Sequence, residues 1–162
     1  MKTIIKFSII CLTAISFLTF TGCDKNEESD TTKPVIKLIE PEEDDVLKIG
    51  ADVHFEAEFE DDKMLASYKV NIHPNFDGHS HAVTKGETET VDFEFEKSWT
   101  ISGKNTSIHH HEIVIPENAT PGHYHLMVYC TDAAGNESYI AVDIELSHEG
   151  EEHEHEEDEH ND

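Results

Sequence analysis

Residues 53–60 read VHFEAEFE, in which apolar and polar side chains alternate strictly. Successive side chains of a β-strand point to opposite sides, so the apolar positions of this stretch fall on one face. The residues on that face are Val53, Phe55, Ala57 and Phe59. The pattern predicts a strand that buries one face in a core and leaves the other in water.

The same alternation recurs between residues 34 and 147. It is found in the segments 68–73, 91–95, 106–115, 123–130 and 139–146. Turn-like sequences separate these segments, and we interpret SGKN at 102–105 as a hairpin turn by its composition. No segment shows sustained helical periodicity. About seven short strands in a domain of this size predict an all-β fold, an immunoglobulin-like antiparallel β-sandwich.

The first 22 residues are predicted to be a signal peptide rather than part of the fold. Two lysines precede an apolar run at 7–20, which is too short to span a bilayer as a helix. The run ends at Gly22 and Cys23, an ending that resembles a bacterial lipoprotein signal. In such a signal the peptide is removed and the cysteine is lipidated. We therefore expect an outer-membrane lipoprotein anchored through Cys23, with an ordinary secretory signal as the alternative.

Residues 23–33 have almost no apolar side chains and are predicted to form a flexible acidic tether. Within them, Lys25 is followed by two glutamates, which resembles a signal that brings some Gram-negative lipoproteins to the cell surface. Asn26 interrupts that pattern. The sequence therefore leaves two locations open: exposure on the cell surface, or a position inside the cell envelope.

Acidic residues dominate the chain outside the signal peptide. The formal net charge is −25, and it becomes −27 when the two signal-peptide lysines leave. This charge argues against a nucleic-acid partner and favours cations. Residues 148–162 read HEGEEHEHEEDEHND, a composition that cannot form a core and predicts a disordered tail. Cys130 is the one cysteine within residues 34–147, so no disulfide is expected there.

Histidines are concentrated at three places in the predicted sandwich. In an immunoglobulin topology, segments 65–73 and 122–131 are neighbouring antiparallel strands, so the end of the first lies beside the start of the second. Imidazoles and carboxylates at that rim are the ligands that zinc prefers. The sequence therefore predicts a metal site here. Its expected ligands are His73, Asp77, His79, His81, His123 and His125.

A second metal site is a further hypothesis, and a structural role for its residues is equally open. The candidates are His54, His109, His110, His111 and Glu112. If Ile113 and Ile115 face the core, strict alternation places His109 and His111 on the core side. The same alternation then places His54, His110 and Glu112 together on the outer face of the opposite sheet.

Several motifs resemble bacterial immunoglobulin-like and cadherin-like modules. They are P-x-I-x-L at 34–38, IPENATPGHYHLMV at 115–128 and TDAAGNES at 131–138. The whole chain is similar to a family of uncharacterised bacterial lipoproteins with one such domain and a His-rich loop. The resemblance implies the fold over residues 34–147 and carries no activity. Related modules sometimes bind calcium, here through Asp61, Asp62 and Asp132, although no loop has EF-hand spacing.

These patterns predict a cell-envelope lipoprotein that binds zinc or another divalent transition metal. Its role would be metal capture, buffering or uptake, with an outer-membrane receptor or transporter as partner. The scarcity of sulfur ligands argues against a Cu(I) protein. The alternative is an immunoglobulin-like module that contacts a protein or a glycan, with incidental or structural histidines. We expect no enzyme, because no nucleophile motif or second constellation accompanies the histidines.

Overall fold

A computed structural model describes residues 29–75 and 90–149 of the chain. These residues form eight strands in two sheets and contain no helix long and apolar enough to cross a membrane. The strands are β1 (Val35–Glu40), β2 (Asp45–Lys48), β3 (Asp52–Glu60), β4 (Leu65–Pro74), β5 (Phe95–Thr100), β6 (Asn105–Val114), β7 (Gly122–Asp132) and β8 (Glu137–Ser147). One sheet has the order β1-β3-β6 and the other β2-β8-β7-β4-β5. The predicted all-β, immunoglobulin-like sandwich is confirmed.

The core lies between the two sheets and consists of the apolar positions that alternate along each strand. In β3, Phe55 and Phe59 are fully buried, and in β7 so are Leu126 and Val128. Removing one such side chain from water contributes roughly 1.5–3 kcal/mol to folding. The alternation of apolar and polar side chains therefore fixes which face of each sheet turns inward.

Tyr124 closes the corner that leads into β7. Its side chain is fully buried, its hydroxyl donates a hydrogen bond of 2.7 Å to the Thr120 carbonyl, and it accepts one of 3.3 Å from the Phe93 amide. Burial raises the pKa of this phenol, so the hydroxyl keeps its proton. A tyrosine bonded to the backbone a few residues upstream is a hallmark of immunoglobulin-like sandwiches.

The strand pairing predicted for the first metal site is present. Strands β4 and β7 are antiparallel neighbours, and His73 lies directly across from His125 in their register. Ile72 and Leu126 on the inner face are fully buried, which places the neighbouring histidines on the outer face. The fold thus brings two of the predicted ligands together.

The interpretation of residues 102–105 as a hairpin turn is wrong. Strand β5 belongs to the five-stranded sheet and β6 to the three-stranded sheet, so the connection crosses between them. Gly103 has a φ of 89°, and its carbonyl accepts a hydrogen bond of 2.8 Å from the Leu65 amide. The connection is therefore fastened to the β3–β4 turn, where composition alone indicates only a turn.

The sequence also gave no indication of β2. This strand of four residues runs parallel to β8 and covers one edge of the five-stranded sheet. Its burial pattern is uniform rather than alternating, so it has no period of two to detect. Strands β1 and β2, although consecutive in the chain, thus belong to different sheets.

Several predictions concern residues that lie outside the described ranges. These are the signal peptide, the lipidation site Cys23, the first part of the tether and all but two residues of the tail. Asp77, His79 and His81 also lie outside them. Residues 29–33 of the tether are described, and they lead into β1 without secondary structure.

Candidate metal centre

Three histidines gather on the outer face of the three-stranded sheet, and we call them the histidine cluster. They are His54 on β3 and His109 and His111 on β6. One ring nitrogen from each lies within 4.8 Å of the other two. The ring centroids of His54 and His109 are 4.6 Å apart, and those of His54 and His111 are 5.0 Å apart. Three imidazoles at this spacing form a nitrogen-rich group that can surround one cation.

A β-bulge in β6 creates this arrangement. Val53 pairs with Ile113 whereas Phe55 pairs with His110, so two steps along β3 face three along β6. The extra residue reverses the direction of alternation, as bulges do. Ile113 is fully buried as expected, yet His109 and His111 face outward. The expectation that these two histidines lie on the core side is therefore wrong.

Carboxylates border the histidine cluster. Nδ1 of His111 lies 2.8 Å from an Asp52 oxygen, and Nε2 of His54 lies 4.0 Å from a Glu56 oxygen. A proton on Nδ1 of His111 completes its bond to Asp52, and this leaves Nε2 of that ring with its lone pair for a metal. A carboxylate that orients a ligating imidazole in this way is a common feature of zinc sites.

His110 points in the opposite direction, into the space between the sheets. The Glu112 amide donates to its Nδ1 over 3.3 Å, so the proton sits on Nε2, which donates to the Tyr68 hydroxyl at 3.0 Å. Burial lowers the pKa of His110, partly offset by the nearby Glu112 carboxylate, and favours the neutral ring. The grouping of His110 with His54 on the outer face is wrong, because the His110 ring points inward. Both nitrogens of this ring are engaged, so we assign His110 a structural role.

Glu112 also lies apart from the histidine cluster. Its carboxylate accepts hydrogen bonds from the Lys97 ammonium and, at 3.0 Å, from the Trp99 indole N–H. These two bonds lower the pKa of Glu112. Because β5 and β6 are edge strands of different sheets, the contacts close one open side of the sandwich. The predicted grouping of Glu112 with His54 is therefore wrong as well. The reason is again the bulge in β6.

Two of the residues predicted for the first metal site lie side by side, and the site itself stays a prediction. The rings of His73 and His125 have centroids 5.4 Å apart and meet edge to face. Nε2 of His125 lies 3.0 Å from an Asp143 oxygen, and Nδ1 of His73 lies 2.8 Å from the Asn71 side-chain oxygen. His123 shares this outer face two residues before His125; it lies across from Glu145 on β8, and its carbonyl accepts a hydrogen bond of 2.9 Å from the amide of Asn75, which follows β4. The fold therefore forms a pair of imidazoles with one neighbouring carboxylate.

Sequence reasoning missed three carboxylates of these groups, Asp52, Glu56 and Asp143. A signal for Asp52 exists, since it precedes His54 by two positions and so shares its face of the strand. In a chain with 36 acidic residues, however, a single aspartate at that spacing does not stand out. Asp143 lies on β8 directly across from His125, a register that requires the strand pairing to be known.

Cys130 offers no ligand to either group. Its side chain is fully buried in the core, and it is a free thiol. Burial, reinforced by the Asp61 and Asp132 carboxylates, raises the pKa of Cys130 to about 11. A thiol with that pKa is neither a thiolate ligand nor a nucleophile at neutral pH.

The fold and these side chains define a β-sandwich domain with histidines grouped on the outer faces of both sheets. Residues 21–160 match the model of a protein family described as a domain of unknown function (DUF4625), and the chain belongs to that family. No curated protein matches the chain. The resemblance to an uncharacterised family is therefore supported, while lipoprotein status and the His-rich loop stay predictions.

Proposed function

We propose that this chain binds a divalent transition metal through the histidine cluster, and that zinc fits it best. The observation that carries the proposal is the approach of three ring nitrogens to within 4.8 Å of one another. Tetrahedral zinc with Zn–N bonds of about 2.0–2.1 Å needs nitrogens about 3.3 Å apart. Rotation of the side chains on the open face of the sheet supplies the remaining approach.

The surrounding charges support the same ion. Asp52 fixes the His111 ring so that Nε2 is left for the metal, and Glu56 is near enough to become a fourth ligand in place of water. Nitrogen ligands with a carboxylate suit zinc and related borderline ions better than calcium or magnesium. A chain with a net charge of −25 also draws cations toward it.

A second, weaker site is proposed at the pair His73 and His125. Asp143 already contacts His125 at 3.0 Å, so this rim offers two nitrogens and one oxygen. His123 lies on the same face as His125. Asp77, His79 and His81 come shortly after His73 in the sequence. Fewer preplaced ligands mean lower affinity, since the remaining groups must be ordered on binding.

The biological role follows from the anchor that the sequence predicts. A lipoprotein held at the outer membrane through Cys23 would keep captured metal at the cell envelope. Capture for uptake, with delivery to an outer-membrane receptor or transporter, and buffering are both served by sites on the outer faces of a rigid sandwich. We propose no enzymatic activity.

Zinc titration against a chromophoric chelator tests the proposal. The sample is the chain from residue 24 onward, purified without a tag, because added histidines would bind zinc themselves. We expect the triple variant His54→Ala, His109→Ala, His111→Ala to lose one tightly bound zinc equivalent relative to the unsubstituted chain. Cobalt bound to the unsubstituted chain should show the visible absorption of a tetrahedral site, and the triple variant should lack it.

The matched control is the double variant His73→Ala, His125→Ala, which removes outward histidines from the other sheet. It should keep the tight equivalent, and circular dichroism should show that all three chains fold alike. If the triple variant binds zinc as tightly and in the same amount as the unsubstituted chain, the histidine cluster is not the site.

One observation favours the alternative of a glycan- or protein-binding module. Tyr139 is 63% exposed, and its ring lies 5.7 Å from that of Tyr129 on the outer face of the five-stranded sheet. Lys69 lies 4.3 Å above the Tyr129 ring. Exposed aromatic rings beside a cation suit sugar stacking and protein contacts. Binding to a glycan array that Tyr139→Ala abolishes, with zinc binding intact, would support this function instead.

A further inference from the structure

Three aspartates meet at the end of the sandwich where the N-terminal segment reaches the first strand. Asp30 belongs to that segment, and Asp61 and Asp62 follow directly after β3. One carboxylate oxygen from each lies within 4.8 Å of the other two. Three like charges at this distance repel one another unless a cation lies among them.

Asp61 gives an independent indication of a missing partner. The residue as a whole is only 8% exposed, and its Oδ1 accepts hydrogen bonds from the amides of Lys63 at 2.9 Å and Met64 at 2.6 Å. Its Oδ2 is buried and has no hydrogen-bond partner among the residues that the structure describes. A buried carboxylate oxygen without a partner is strongly unfavourable, so native proteins pair such atoms or coordinate a metal with them.

Neighbouring groups compensate this charge only in part. Nζ of Lys63 lies 3.9 Å from Asp30, and its side chain is about half exposed. Asp132 is nearby and buried, but its two oxygens are taken by the amides of Ala134 and Asn136 and by the Asn136 side chain. Asp132 therefore stabilises its own turn, and we exclude it from the ligand group.

We propose that Asp30, Asp61 and Asp62 form a site for a hard divalent cation, calcium in particular. The group offers only carboxylate oxygens. Calcium binds to such oxygen ligands, whereas zinc prefers sites that also contain nitrogen or sulfur. Three carboxylates, each binding through one or two oxygens, leave positions for water in the shell of six to eight oxygens around calcium. This site differs from the histidine cluster in residues, in ligand chemistry and in its place on the other end of β3.

The ion would fasten the N-terminal segment to the domain. The Asn136 side chain already donates to the Asp30 carbonyl at 3.2 Å, and Ser138 donates to the Pro34 carbonyl at 2.6 Å. These bonds hold the segment close to the turn, and calcium would replace the repulsion between Asp30 and its neighbours by attraction. Calcium would thus control how firmly residues 29–34 are held against the sandwich.

Thermal unfolding with and without calcium tests the proposal on the chain from residue 24 onward. A ligand that binds only the folded state raises the melting temperature. We expect calcium to raise that of the unsubstituted chain by several degrees, and the double variant Asp30→Asn, Asp62→Asn to lose this shift. Without calcium the double variant should melt higher than the unsubstituted chain, because two repelling charges are gone.

The matched control is Asp92→Asn, an exposed aspartate away from the site, which should keep the full calcium shift. Titration calorimetry should show at least a tenfold weaker calcium affinity in the double variant than in this control. An equal calcium response in the double variant and the control, or no response in the unsubstituted chain, would overturn the proposal.

Discussion

The imidazole of His111 stacks on that of His54, with ring planes inclined by 24°, across a bulge that brings the two strands out of step. The contact is possible only because the extra residue in β6 turns His111 to the outer face. The same ring contacts Asp52 at 2.8 Å through its Nδ1. His111 is therefore the member of the histidine cluster whose orientation is most strongly set before any ion binds.

Replacing Asp52 by asparagine should weaken zinc binding without removing a ligand. The amide keeps the size of the side chain but loses the charge that orients the His111 ring. Loss of such a partner typically lowers metal affinity about 10–100-fold. Chelator competition measures the change. Glu58→Gln is the control, because Glu58 lies on the same strand face and pairs with Lys37 at 2.9 Å. An equal effect of both substitutions would mean that Asp52 contributes only general charge.

Asp132→Asn should make the stability of the domain less dependent on acid. Burial raises the pKa of Asp132, but the hydrogen bonds from Asn136, Ala134 and Gly135 outweigh it, and the net pKa is lowered. A lowered folded-state pKa means that the unfolded chain takes up the proton first as the pH falls. The carboxylate therefore stabilises the fold above pH about 4 and loses this effect as the pH falls through the folded-state pKa.

Urea unfolding at pH 7 and at pH 3 measures this dependence. At pH 7 the substitution should cost at least about 1 kcal/mol, because the amide replaces one acceptor oxygen by a donor. The difference from the unsubstituted chain should shrink at pH 3. Asp92→Asn, an exposed substitution, serves as the comparison. A penalty that is the same at both pH values would show that the lowered pKa has no part in stability.

Tyr124→Phe should destabilise the domain by about 1–3 kcal/mol. The substitution removes the hydroxyl that donates to the Thr120 carbonyl and accepts from the Phe93 amide, and it leaves both backbone groups without that partner. Chemical denaturation gives the free energy of unfolding. Tyr139→Phe is the matched control, since Tyr139 is exposed, and it should change that free energy by less than about 0.5 kcal/mol. Equal effects would argue against a corner role for Tyr124.

Cys130 should be unreactive in the folded chain. It is the only thiol after residue 23, so a disulfide reagent reports on it alone in the chain from residue 24 onward. A pKa of about 11 leaves about a hundredfold less thiolate at pH 8 than the ordinary thiol has, and burial slows access further. We expect the reaction to be at least about a hundredfold slower in buffer than in urea. Comparable rates would show that the core opens readily at β7.

The sequence was sufficient to predict the faces of three central strands. The alternation in β3, β4 and β7 predicted the inner and outer faces, and immunoglobulin topology then predicted that His73 and His125 are neighbours. These inferences need only a period of two and a known strand order.

Alternation failed at the bulge, because one extra residue reverses the faces and nothing in the run His109–Glu112 marks where it lies. It failed for Asp30 for a different reason. The segment before β1 has no period at all, and its contact with Asn136 joins residues 106 positions apart. Both features depend on the packed structure rather than on a local pattern.

The bulge has one more consequence, which concerns other copies of the chain. Strand β6 is an edge strand among the described residues, and it exposes Val114, so a neighbouring molecule could add a strand beside it. Bulges at sheet edges break the regular spacing that such strand addition requires. The irregularity that groups the imidazoles therefore also discourages fibre-like self-association of this domain.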